Sequence, residues 1–468
     1  MRPVLVCGGC ARGSRIPDAP AAQSRPNPCP SPYHAAIRCR NSRLSCRVVR
    51  SARTCKLARL ASFYLASGQV KKTMPTSVSS SGAQRDLRID FFRGLALLFI
   101  FVDHVPDNVL AKFTLRNFGF SDAAEVFVLL AGFSAVLAYS RVFEGQGFKA
   151  GLNRVFDRVR DIYIWHLALI VICSIGLTSA ASYFGNFSYA QNIGVHVFSL
   201  DPARSTVMAA LLVNQPNSLN ILPLYVVLMM VWVPFVLWLI QRNPWQALVL
   251  SVGLWAAANL LSMNLPSLIH PNGWVFNPFA WQLLITIGAL TAHFSRQGPL
   301  PVSRPLMWLA LGYVAFAFLF VAPWTQIPGL EKARLFSPDM LGNVDKTYLS
   351  GWRLLHVVAL GYLALILLSP QTQWLTRAWA TGIGRLGRHS LEIFSVGTIL
   401  SFVGWVVLVE AGYGLALQIL VNIIGIGILL GMAWALAQRN RGTDWVFVQS
   451  VQRFFTERRG SGVQASPA

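Results

Sequence analysis

The sequence predicts an all-α integral membrane protein, a polytopic bundle of about ten transmembrane helices with both termini in the cytoplasm. Three observations carry this. Of 468 residues, 54% are hydrophobic and only 12% charged, against about 25% charged in a soluble chain. Apolar runs recur from residue 89 onward, and about 20 such residues suffice to cross the hydrocarbon layer. Lys and Arg are concentrated in alternate connections, the bias that sets orientation in a membrane.

The net charge of +22 could suggest a nucleic-acid binder. Its distribution excludes that class. Residues 1–84 hold 14 Lys and Arg against the single acid Asp18, and the rest of the excess sits on short connections. No basic face with interleaved aromatics is present to receive bases.

In chain order, residues 1–84 form a basic segment without periodicity, expected to be disordered. It holds six of the seven cysteines, among them CGGC at 7–10. A second CxxC is missing, only His34 lies nearby, and no βαβ pattern surrounds the first, so neither a zinc site nor a redox site is indicated. The composition is that of a transit peptide or of a start placed too early. The second reading is preferred, because Met74 followed by PTSVSSSGAQ gives an ordinary short polar lead.

The membrane domain then runs over 85–440, with a cytoplasmic tail at 441–468. Its expected spans are 89–110, 123–140, 161–182, 219–240, 245–262, 279–295, 305–322, 351–369, 389–410 and 413–437. Arg85 and Arg88 precede the first span, and Arg141, Lys149, Arg154, Arg158 and Arg160 fill the second connection. Arg242 follows the fourth span, Arg296 and Arg304 the sixth, and Arg377, Arg385 and Arg388 the eighth. The connections 105–122, 183–218, 263–278 and 323–350 are longer and near charge balance, so they are expected to face outward. GIGRLGR at 382–388 has no strand before it, and reads as a cytoplasmic connection rather than a phosphate loop.

The first span is the chemically unusual one. RGLALLFIFVDHVPDN (93–108) places Arg93, Asp103 and His104 in an apolar run. Eleven residues at about 100° each make three turns plus about 20°, so Arg93 and His104 share a helix face, roughly 16 Å apart along the axis. Asp103 points about 100° away from His104. Pro106 disturbs the following turn, as is tolerated where backbone lines a cavity. Ionisable groups inside a bilayer are costly and are functional candidates by default. His suits proton exchange near neutrality, and a deep Arg suits phosphate or carboxylate. Arg93 could otherwise snorkel, and His104 could bond a neighbouring helix.

Glu125 enters the second span from the outer side, either to orient His104, to accept from a sugar hydroxyl, or simply as a helix-N-terminal carboxylate. Ala131, Gly132 and Ser134 allow close helix approach. Arg158 and Arg160 open the third span, followed by Tyr163 and His166. No HExxH, GxxxxGK[ST] or GxSxG occurs, and no metal site is expected.

The runs RDLRIDFFRGLALLFIFVDHVPDN and TLRNFGFSDAAEVFVLLAGFSAVLAYSR (114–141) resemble the OpgC family, inner-membrane proteins that succinylate osmoregulated periplasmic glucans and look related to the acyltransferase-3 superfamily. The likeness is strong over about 85–170. Arg93 and His104 match that superfamily's Arg-x10-His pattern. FVLLAGFSA departs from its second-helix wording, with Ala131 where Ser is usual, and the Pro common at the third helix is absent.

The resemblance implies an O-acyltransferase of the bacterial inner membrane, with acyl-CoA, succinyl-CoA by family, as cytoplasmic donor and a periplasmic glucan hydroxyl as acceptor. It implies His104 as a catalytic residue and Arg93, Arg158 and Arg160 as donor-binding residues; the reading of the buried carboxylates adds Glu125 and Asp103 as catalytic candidates. His104 would act as a base or as a covalent carrier. The rival class is a proton-coupled transporter of a small solute or sugar, using Arg93, Asp103, His104 and Glu125; no internal repeat speaks for it.

Overall fold

A computed structural model describes residues 86–439 apart from 299, 322–328, 330–335 and 343. The basic segment 1–84, with its cysteines and Met74, and the tail 441–468 lie outside the described residues. The described chain is all-helical. Its principal helices are α1 (Leu87–His104), α2 (Ala123–Gly145), α3 (Phe148–Phe184) and α4 (Ile221–Arg242). They are followed by α5 (Pro244–Leu260), α6 (Pro278–Gln297), α7 (Arg304–Val321) and α8 (Gly351–Leu367). The last three are α9 (Ala378–Arg388), α10 (Ser390–Ala411) and α11 (Leu415–Arg439).

Each expected span coincides with a helix. Among the described residues, six are long and apolar enough to cross a membrane: α2, α3, α4, α7, α10 and α11. The chain is thus a multi-pass membrane protein. α8 is apolar but shorter, whereas α1 carries Arg88, Asp90, Arg93 and Asp103 within 18 residues.

The limits differ from expectation where local chemistry decides. α1 ends at His104 instead of 110, because Val105 is extended (φ −80°, ψ 105°). The residue before a proline avoids the helical region, and Pro106 cannot donate. Asp107 then turns at φ 56°, and Asn108 caps the 3-10 turn Val109–Phe113 through its side chain on the Leu110 amide, at 3.1 Å. α3 begins well before 161 and has 37 residues. That is about 55 Å, well over the hydrocarbon thickness, so its basic first turns continue beyond the apolar part. α4 contains a π turn at Leu228–Trp232 just before Pro234, a way to absorb the hydrogen bond a helical proline removes.

GIGRLGR is part of helix α9, not an open connection. A Cβ on Gly387 would lie 2.0 Å from the Asp90 carbonyl oxygen, and one on Gly94 would lie 1.9 Å from that of Ile383. The glycines therefore let α9 press directly on α1, and Arg388 Nε donates to Asp90 Oδ2 at 3.1 Å across that contact. α2 and α6 approach in the same manner, Gly132 against Ile285 and Gly288 against Leu129.

α1 packs on α2, α9 and α10, and α2 on α3 and α6. α7 and α11 lie at the margins, with 17% and 22% of their apolar windows buried. Their exposed Leu309, Leu420, Ile423 and Ile424 form the apolar exterior that lipid requires and water does not tolerate in bulk.

Candidate functional site

Among the described residues, α1 lines two cavities of the bundle. The first, of about 190 Å³, is lined by Arg93, Ser134, Tyr139, Arg158, Tyr225 and Ser390, among others. The second, of about 140 Å³, is lined by Asp103, His104, Arg116, Asp122, Asn220 and Lys346, among others. Ile221 of α4 and Phe394 of α10 line both. Arg93 and His104 therefore stand in two neighbouring chambers separated by an apolar wall. The three helical turns between them set this separation.

Arg93 is held from three sides. Its Nη2 donates to Ser390 Oγ at 2.8 Å and Nη1 to Ser134 Oγ at 3.5 Å, with the Phe127 ring 5.7 Å from the guanidinium carbon. Ser134 is available because its own hydroxyl donates back to the Leu130 carbonyl at 2.8 Å, leaving the oxygen to accept. Both hydroxyl partners are neutral, and Arg158 brings a second guanidinium to the same lining. A polyanion or a polarised carbonyl suits such a space.

His104 is the last residue of α1, and its Nδ1 is buried without a hydrogen-bond partner among the described residues. Leaving such an atom unmet costs about 1–3 kcal/mol, and in a cavity wall it marks a place for a ligand atom. Glu125 does not orient it, and Asp103, which the helical phase already turns away, has other partners. Asp103 accepts from Thr114 Oγ1 at 2.5 Å and lies 3.5 Å from Arg116 Nε.

Glu125 is fully buried and belongs to a different network. Its Oε2 accepts the Asp122 amide at 3.0 Å, while Asp122 Oδ1 accepts the Ala124 amide at 2.8 Å, the reciprocal arrangement of a capping box. Arg353 of α8 donates from Nε to Glu125 Oε1 at 2.6 Å, pairs with the same oxygen through Nη2, and reaches Asp122 Oδ2 at 3.2 Å. Lys346 Nζ meets that Asp122 oxygen at 2.6 Å. Burial alone would raise Asp122, but Lys346, the Glu125 contact and Arg353 hold its carboxyl well below the usual range.

The remaining expected residues separate. Arg158 joins Arg93, whereas Arg160 is exposed and pairs with Asp157 at 3.6 Å and Asp161 at 3.1 Å, lining neither cavity. His166 is buried in α3 away from both. Tyr163 donates to the Ala210 carbonyl at 2.8 Å.

The chain alone did not single out Ser390, Arg116, Asp122, Lys346 or Arg353. Arg353, a charge inside an apolar run, carried a usable signal. So did the Asp-x-x-Glu spacing of the capping box. Lys346 and Arg116 lie on connections, where a cation is unremarkable.

The family model described as OpgC protein matches residues 85–441. No curated protein and no solved structure matches the chain. With well over half of the chain matched, it belongs to the OpgC family.

Proposed function

We propose that this OpgC-family protein is a membrane-embedded O-acyltransferase that moves a succinyl group from cytoplasmic acyl-CoA to a hydroxyl of a periplasmic glucan. Membership implies glucan succinylation. The observation that supports the route is the pair of chambers meeting at Ile221 and Phe394, one holding Arg93 and Arg158 and one holding His104. In this reading the spans number ten, both termini are cytoplasmic, and the Arg93 chamber opens to the cytoplasm of a bacterial inner-membrane protein. The His104 chamber opens outward.

The polyanionic donor enters against Arg93 and Arg158, and its acyl end passes the apolar wall. The unmet His104 nitrogen takes the proton of the glucan hydroxyl as that oxygen attacks the thioester carbonyl. The carbon–sulfur bond breaks, CoA leaves as thiolate, and the imidazolium returns the proton to sulfur. Glu125 and Asp103 act at one remove: Glu125 fixes the α2 terminus and Asp103 the loop over the chamber. Arg160 plays no direct part.

The test is purified protein in liposomes, with labelled succinyl-CoA inside and glucan outside. Label is expected on the glucan, and His104→Ala should lower transfer by at least the roughly 10²–10⁴-fold contributed by a positioned base. Equal labelling by His104→Ala would sink the assignment. Coupled uptake of a solute or sugar without label transfer would favour a transporter.

A further inference from the structure

Succinyl and butyryl thioesters share a four-carbon chain and differ at the far end, where one carries a carboxylate. A site that prefers the first must offer a cation beyond the reacting carbonyl, on the His104 side. Two cationic side chains line that chamber, Arg116 and Lys346.

Their situations differ. Lys346 is engaged: its ammonium contacts Asp122 at 2.6 Å and lies 5.2 Å from the Phe276 ring centre. Arg116 has one long contact, Nε to Asp103 Oδ1 at 3.5 Å, and that same oxygen already accepts the Thr114 hydroxyl. Its two terminal amino groups make no hydrogen bond among the described residues, and half of its side chain is exposed. A guanidinium held through Nε presents its other edge as a two-pronged carboxylate receptor.

The loop that carries it is built rather than loose. Thr114 Oγ1 bridges Asp103 and the Ala111 carbonyl, and Asn117 Nδ2 donates to that carbonyl at 2.6 Å. Asp103 precedes His104 directly, so it ties the Arg116 loop to the end of α1 that bears the imidazole.

We propose that Arg116 receives the distal carboxylate of the acyl group and so determines specificity for dicarboxylic monothioesters, with Asp103 as its positioning residue. This rests on the acyl transfer proposed above.

The test compares succinyl-CoA with butyryl-CoA in the same liposomes, reading kcat/KM for each. Wild type is expected to favour succinyl. Arg116→Gln should lose about tenfold or more on succinyl, the scale of a charge-assisted hydrogen bond, with butyryl transfer unchanged. Unchanged butyryl transfer also reports an intact fold. Arg116→Lys should restore part of the succinyl rate. If Arg116→Gln slows both donors alike, Arg116 serves the glucan, the lipid surface or the fold, and the proposal is overturned. It is overturned too if neither rate moves, or if wild type does not discriminate. Should butyryl transfer be too slow to measure, equal succinyl loss in Arg116→Lys and Arg116→Met overturns it, and rescue by Lys alone supports it. A wild type that transfers neither group removes the acyltransferase reading itself, an outcome distinct from all of these.

Discussion

Glu125 is buried in an apolar helix because two cations and backbone amides answer its neighbourhood. Arg353 and Lys346 between them neutralise Glu125 and Asp122, and the capping box occupies the remaining carboxylate oxygens. The N-terminal dipole of α2 adds to the same balance. Removing Arg353 leaves two carboxylates facing each other out of water, which costs about 3–5 kcal/mol. Arg353→Gln should therefore lower the melting temperature of the detergent-solubilised protein by several degrees, and adding Glu125→Gln should recover part of the loss. An unchanged melting temperature in Arg353→Gln would show that the cluster holds nothing together. Glu125 could be read from sequence only as one of several things, since a carboxylate three residues after Asp122 fits a cap, an orienter or a hydrogen-bond acceptor equally. Its partner lies 228 residues away, and no local pattern announces that.

At the level of elements, periodicity and composition found the helices, while single residues set their ends. Pro106 stops α1 at His104, which makes the imidazole a terminal group at a chamber wall rather than one more side chain inside a span. Glycines decide which helices touch. Gly288 lies against the Leu129 carbonyl, where an added Cβ would come within 2.0 Å of the oxygen. Gly288→Ala must therefore part α2 from α6, at about 1–3 kcal/mol. The expected readout is lower thermal stability together with weakened transfer, because α2 carries Ser134, Phe127 and the capping box. Gly253, with nothing near its Cβ position, is the control: alanine there should be tolerated. If both variants behave alike, close approach is not what Gly288 provides.

For the molecule as a whole, the question is which chamber faces which compartment. From the Lys and Arg bias, the second connection is expected inside and the loop 183–218 outside. In intact spheroplasts, with native cysteines replaced, a membrane-impermeant thiol reagent should label Asp201→Cys and leave Gln146→Cys untouched until the membrane is opened. The reverse pattern would invert the donor and acceptor sides. Composition, the spacing of apolar runs and the helical phase of Arg93 and His104 were all legible in the sequence, because each is a local property repeated along one chain direction. The family resemblance was legible too, carried by residues within about 55 positions of one another. Only tertiary structure decided that Arg158 joins Arg93 while Arg160 does not. It alone placed Ser390 under the Arg93 guanidinium, made Ile221 and Phe394 the wall between two chambers, and gave Asp103 the partners Thr114 and Arg116. Those facts depend on how separate helices rotate and slide against one another. That is set by steric fit and charge compensation between distant segments, and a single chain read in order does not encode it in any local period.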